Sequence, residues 1–193
     1  MSVATDLDIT LIPADPRRDA VVLQSWLSDP HSAFWGMTAL DAAQVEEYLA
    51  SVTTAPGQQA WLGLIDGAPA FYAETYDPAR VLLTEVHEAT PGDLGMHVLI
   101  SPPGAVTRHG LTDAVFAAVM TWCFDGLGAT RVVVEPDVRN ERIRAKNVRA
   151  GFEELGEVVV DEGGHLKTAM LSTCTREAFA ASALTRLDRE ERA

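Results

Sequence analysis

The stretch whose reading decides the fold runs from Gly95 to Phe152. It comprises Gly95-Met96-His97-Val98-Leu99-Ile100, then Arg108-His109-Gly110-Leu111, then Val132-Val133-Val134-Glu135-Pro136-Asp137-Val138-Arg139-Asn140, and closes on Ala150-Gly151-Phe152. Met96 to Ile100 is an apolar, β-favouring run bounded by Gly95 and the Pro102-Pro103-Gly104 turn, so it reads as a strand with the imidazole of His97 on one face. From Thr107 the apolar residues Leu111, Ala114, Val115, Ala118, Val119, Trp122 and Cys123 recur at the spacing of an amphipathic helix. The turn ahead of that helix holds Arg108, His109 and Gly110. Its open N–H groups and the positive end of the helix dipole suit a pyrophosphate, and Arg108 could add a charged fork.

Arg131 to Glu135 is nearly all valine and reads as a strand buried on both faces, ended by Pro136. Asp137 follows at the strand's end. If this strand lies beside the one carrying His97, both side chains could reach a cleft where the strands separate. Asn140, Arg142, Arg144 and Asn147 begin the next helix, which Gly151 stops.

Working outward, the sequence predicts a strand over 7–12, helices over 17–28 and 39–53, and strands over 59–65 and 69–75 joined by Asp66-Gly67, a hairpin signal. Residues 77–93 read as a loop rich in Pro, Asp and Glu. Strands over 153–160 and 165–172 flank Gly163-Gly164, and a charged helical tail starts near Thr175. The expected fold class is α/β with a mixed, mostly antiparallel sheet, as one domain over 1–180 with a charged tail over 181–193.

These motifs together resemble the GNAT acyl-coenzyme A transferases, a superfamily whose phosphate turn carries a basic or Gln residue with glycines at fixed offsets. Arg108 and Gly110 match that turn here. Over nearly the full chain the sequence is similar to the siderophore-biosynthesis N-acyltransferases, which acylate N-hydroxylated lysine, ornithine or cadaverine. The motifs that carry this likeness are Trp26-Leu27-Ser28-Asp29-Pro30-His31, Phe34-Trp35-Gly36-Met37, the run Pro69 to Pro78, Gly95-Met96-His97, Glu135 to Glu141, and Cys174-Thr175-Arg176-Glu177-Ala178-Phe179. A similar Trp-Leu-x-x-Pro-His opening and Thr-Arg-x-x-Phe close occur in aminoglycoside 6'-N-acetyltransferases, which are the alternative. A third class is a non-catalytic domain that kept the fold.

The resemblance implies a central sheet flanked by helices, with strands splayed to form an acyl-CoA cleft, and acetyl- or succinyl-CoA as co-substrate without a metal. It assigns His97 and Asp137 as the catalytic pair. His97 would take a proton as the hydroxylamine nitrogen attacks the thioester carbonyl. Asp137 would orient the acceptor's N-hydroxyl or hold the imidazole in its useful tautomer. The coenzyme would be bound by Val98, Leu99, Ile100, Arg108, His109, Gly110, Leu111 and Asn140. Backbone N–H groups around Val98 to Ile100 could receive the thioester oxygen, worth about 3 kcal/mol per donor by analogy with oxyanion holes. The acceptor would be bound by His31, Trp35, Tyr72, Glu74 and Arg139, with the Glu74 carboxylate placed to receive a distal ammonium.

From the residues alone, duller readings stand beside these. His97 fits a core histidine, Asp137 a helix N-cap or turn residue, Tyr72 and Glu74 an exposed strand face, and Arg139 and Asn140 a solvated helix start. Trp61 and Trp122 read as core packing.

Composition agrees. The 193 residues are 47% hydrophobic and 22% charged, enough for one sizeable core. A net charge of −13 argues against a nucleic-acid partner and would favour a cationic acceptor, though it serves solubility equally well. No run is long enough to span a bilayer, and no basic start with an apolar stretch marks a signal peptide, so the expected location is cytoplasmic. Cys123 and Cys174 are expected to be reduced thiols.

Overall fold

Seven strands form one sheet in the order β1 (Ile9–Pro13), β2 (Gln58–Ile65), β3 (Ala68–Tyr76), β4 (Asp93–Ile100), β5 (Arg131–Val134), β7 (Leu166–Thr175), β6 (Glu153–Asp161). This computed structural model describes residues 7–103 and 110–185. β1–β2, β5–β7 and β6–β7 pair antiparallel. β4 and β5 pair parallel, from Asp93↔Arg131 to Gly95↔Val133. The sheet is therefore mixed and mostly antiparallel, and the His97 strand does lie beside the valine strand. By internal packing the chain divides into two units, Met1–Thr75 with His97–Val115 and Tyr76–Met96 with Phe116–Ala193.

In the first unit, α1 (Pro16–Leu27) starts where the Asp15 carboxylate accepts the Arg18 N–H at 2.8 Å, with Pro16 at the first helical position. It buries Ala20, Leu23, Trp26 and Leu27 against Val45, Leu49 and Val52 of α2 (Ala42–Thr54) and Tyr72 of the sheet. α2 opens at a reciprocal capping box, in which Asp41 accepts from Gln44 N–H and the Gln44 side chain accepts from Asp41 N–H, each at 2.9 Å. That box fixes the helix start three residues after the expected position 39. Asp66 and Gly67 both have positive φ, 52° and 79°, which the two-residue turn joining β2 to β3 requires. A short 3-10 turn at Pro30–Trp35, which the sequence reading lacked, is capped by Asp29 and closed by left-handed Gly36.

In the second unit, Val132, Val133 and Val134 are buried, as the all-valine run implied, and so is Glu135. Val133 packs with Tyr76, Leu83, Val160, Ala169 and Leu171. The Asp93 carboxylate takes two hydrogen bonds from the Arg131 guanidinium, 2.8 and 2.7 Å, with His87 Nε2 at 3.0 Å. Desolvation alone would push this acid up. The bonds from Arg131, Thr90 and His87 outweigh that and hold it well below the ordinary carboxylate range.

The helix expected from Thr107 is α3 (Leu111–Thr121), which continues into a wider π-type turn at Trp122–Gly126 that buries Cys123 and Phe124. α4 (Glu141–Arg149) follows β5. The tail helix is short where it is described, α5 (Arg176–Ala180), started by Thr175 accepting the Ala178 N–H. Arg186 to Ala193 lie outside the described residues. No helix among the described residues is long and apolar enough to cross a membrane.

Candidate active site

β3 and β4 carry the first group of expected site residues, all within the first unit. Alternation along β3 sends Tyr72 and Glu74 to one face. That face is buried, with Tyr72 at 1% and Glu74 at 8% exposure, which removes the exposed-face alternative. The Tyr72 hydroxyl donates to Glu74 Oε1 at 2.8 Å. The hydroxyl of Tyr48, on α2, donates to the same oxygen. Burial first, then the charge of Glu74, pushes the Tyr72 phenol far above its ordinary range, so it stays a donor.

Glu74 Oε2 faces His97 Nδ1 at 3.4 Å. A carboxylate oxygen accepts, so the nitrogen facing it is the one that carries the proton. The distance is at the long end for a hydrogen bond, as is common in enzymes without substrate, where such contacts shorten on binding. The imidazole is half-buried. Trp35 completes the group, its ring centroid 6.1 Å from His97 in an edge-on arrangement and 5.8 Å from Tyr72. An oriented base against aromatic walls can take a proton from a small nucleophile.

His31 is on the same 3-10 turn as Trp35 and is exposed; its backbone N–H donates to Asp29 Oδ1 at 2.7 Å. Val98, Leu99 and Ile100 continue β4 beyond its last paired residue with β5, Gly95. Gly110, with φ of 79°, precedes α3, and its carbonyl accepts from Asp113 and Ala114. Leu111 begins that helix, whose N-terminus carries the positive end of its dipole. Arg108 and His109 lie outside the described residues.

A second group belongs to the second unit. Asp137 is buried and pairs as an isolated bridge with Ala169. Its Oδ1 accepts the Arg139 backbone N–H at 2.9 Å and Nε at 2.8 Å, and the guanidinium also bonds Oδ2 at 2.6 Å. That Arg139 pairing, helped by Lys167, brings the carboxyl down to about 2. Arg139 itself is largely exposed. Asn140 is the N-cap of α4, its side chain accepting the Ile143 N–H at 3.3 Å.

Sequence reasoning missed Tyr48. A signal was present: Tyr48 sits in the stripe Val45–Leu49–Val52, and a tyrosine in a buried stripe needs a partner for its hydroxyl. Among the described residues no cluster of His, Cys, Asp and Glu could hold a metal ion.

Comparison with known proteins places this sheet and its flanking helices in a family. Residues 15–160 match the family described as acetyltransferase (GNAT) domain. The chain is 30% identical over 165 residues to N-hydroxyputrescine acetyltransferase of Acinetobacter baumannii, covering 84% of this chain and 75% of that protein. It is 27% identical over 148 residues to lysine N-acyltransferase MbtK of a Mycobacterium species, covering 76% of this chain and 60% of the relative's length. The crystal structure of aminoglycoside acetyltransferase AAC(6')-Ib with coenzyme A and kanamycin superposes with a TM-score of 0.75 at 25% identity, covering 90% of this chain and 98% of that one.

The chain belongs to the GNAT acetyltransferase family. It is an N-acyltransferase of amines, and the donor used by such enzymes is acetyl-CoA or a related acyl-CoA.

Proposed function

We propose that the chain transfers an acyl group, acetyl or succinyl, from coenzyme A to the hydroxylamine nitrogen of an N-hydroxylated diamine or amino acid. The product is a hydroxamate of the kind built into siderophores for iron acquisition, and acyl-CoA chemistry of this sort belongs in the cytoplasm. One observation carries the reading: both oxygens of Glu74 are engaged, Oε1 by two phenols and Oε2 by His97. We read the charge of Glu74 as serving the imidazole. A hydroxylamine is weakly basic and arrives uncharged at neutral pH, so it needs orientation and a base to receive its proton during attack.

In this mechanism the acceptor nitrogen lies against the His97 imidazole, walled by Trp35 and Tyr72, with His31 at the rim. As the nitrogen attacks the thioester carbonyl, His97 takes the N–H proton, and the N–H groups of Val98 to Ile100 receive the developing oxyanion. The tetrahedral intermediate collapses by breaking the C–S bond, and coenzyme A leaves as the thiol after gaining a proton. The pyrophosphate is held at Gly110 and Leu111 with Arg108 and His109, and Asn140 contributes to the coenzyme site. Asp137, fixed by Arg139, orients the N-hydroxyl. The names of the Acinetobacter and mycobacterial relatives support this acceptor class. Similarity to aminoglycoside acetyltransferases favours a second reading, an aminoglycoside amine as acceptor.

Coenzyme A release with acetyl- and succinyl-CoA against N-hydroxyputrescine, N-hydroxycadaverine, N6-hydroxylysine, N5-hydroxyornithine, the unhydroxylated amines and kanamycin tests both. Turnover confined to hydroxylated amines is expected. Turnover of kanamycin alone would replace the first reading by the second.

A further inference from the structure

The Tyr48 hydroxyl reaches from α2 into the His97 group by way of Glu74. Val45, Leu49 and Val52, its neighbours on that face, are buried hydrocarbons in the first unit's core. Tyr48 meets Glu74 across 26 residues of chain, whereas Tyr72 meets it from the same strand. Two phenols, one from a helix and one from a strand, converge on the single oxygen Oε1. Two donors on one oxygen restrain the rotation of the carboxylate and favour the other oxygen's aim at His97 Nδ1.

We propose that Tyr48 is a positioning residue of the acyl-transfer site: it fixes Glu74, and through Glu74 the tautomer and basicity of His97. The proposal rests on His97 being the base. Glu74 from β3 and the Trp35 ring from the 3-10 turn face the imidazole, and Tyr48 and Tyr72 face Glu74.

The arrangement makes a signed demand. Each phenol that donates to Glu74 stabilises the carboxylate and weakens its pull on the imidazolium proton. With Tyr72 still donating to Oε1, removing the Tyr48 hydroxyl strengthens that pull and raises the titration midpoint of His97. Replacing Glu74 by an uncharged glutamine of the same shape lowers it. A side chain that merely filled space would not move the two in opposite directions.

The experiment is a ¹⁵N NMR titration of the imidazoles in the full chain for wild type, Y48F and E74Q, with H97Q identifying the His97 resonances among the five histidines. Alongside it, the pH profile of kcat/KM is measured on the best acceptor. Expected are an Nδ1–H tautomer in the wild type, a midpoint lowered by about one unit in E74Q and raised by a few tenths in Y48F. The acid limb of the activity profile should move with each. E74Q is expected to lose on the order of a hundredfold in kcat/KM, because the tautomer is no longer held. Y72F removes the other phenol and should shift the midpoint in the same direction as Y48F, which gives a second reading if Y48F is unstable.

Shifts of the same sign in E74Q and the two phenylalanine variants, or no shift in either phenylalanine variant, would overturn the proposal. The NMR titration needs no acceptor. Loss of the hydroxylamine reading therefore leaves it decisive, and hydroxylamine turnover combined with unmoved midpoints would sink the positioning role alone.

Discussion

A Cβ placed on Gly95 would come within 2.2 Å of the Tyr76 ring, so the ring lies on bare backbone where any other residue would displace it. Tyr76 in turn donates its hydroxyl to the buried Glu135 at 2.7 Å. Gly95→Ala is expected to cost about 1–3 kcal/mol, the usual range for overpacking a filled core. Urea unfolding checks it, and a midpoint equal to wild type would show that the ring can move aside freely.

His97→Ala should lower kcat/KM by roughly 10²–10⁴, the range for a positioned general base. The imidazole is partly exposed, so the melting temperature should change little. Steady-state kinetics beside calorimetry separate the two effects, and retained activity with a hydroxylated amine would remove His97 from the chemistry.

The Asp93 carboxyl is depressed in the folded state, which fixes the sign of its pH dependence. Its contribution is fully present above the unfolded carboxylate value of about 3.9 and is lost as pH falls through the folded value. Arg131→Met leaves the buried carboxylate without its main partner and should cost about 3 kcal/mol at neutral pH. Protonation relieves that cost, so between pH 7 and about pH 3 the variant should lose less stability than the wild type does. Parallel urea midpoints for the two proteins across that range would contradict this account.

Trp35 walls the imidazole and Tyr72 without a proton to give. Trp35→Ala should raise KM by about tenfold, equivalent to roughly 1.4 kcal/mol of binding, while kcat changes less. A fall in kcat with KM unchanged would place the ring on the reacting atoms instead of on the acceptor.

The local signals were legible wherever backbone chemistry decided the outcome. Asp66-Gly67 gave the turn, the valines of β5 gave a strand buried on both faces, and Pro136 gave its end. The start of α2 falls after position 39 because Asp41 and Gln44 form a capping box, which fixes a helix start more sharply than apolar spacing does. Asp29-Pro30 reads as a turn or a helix start with equal ease, which concealed the 3-10 turn that delivers Trp35. For the site, His97, Tyr72 and Glu74 could be named from sequence. Their relation could not, since a contact across 23 or 26 residues depends on how strands and helices pack and leaves no local period.

Cys123 and Cys174 are both buried, and burial pushes both thiols up to about 12. An enzyme that handles thioesters runs a side risk, because any thiolate within reach can capture the acyl group by exchange and become a dead-end S-acyl protein. That burial favours the protonated thiol at both positions near neutral pH. Burial of Cys123 and Cys174 thus removes two internal competitors with the amine for the acyl group.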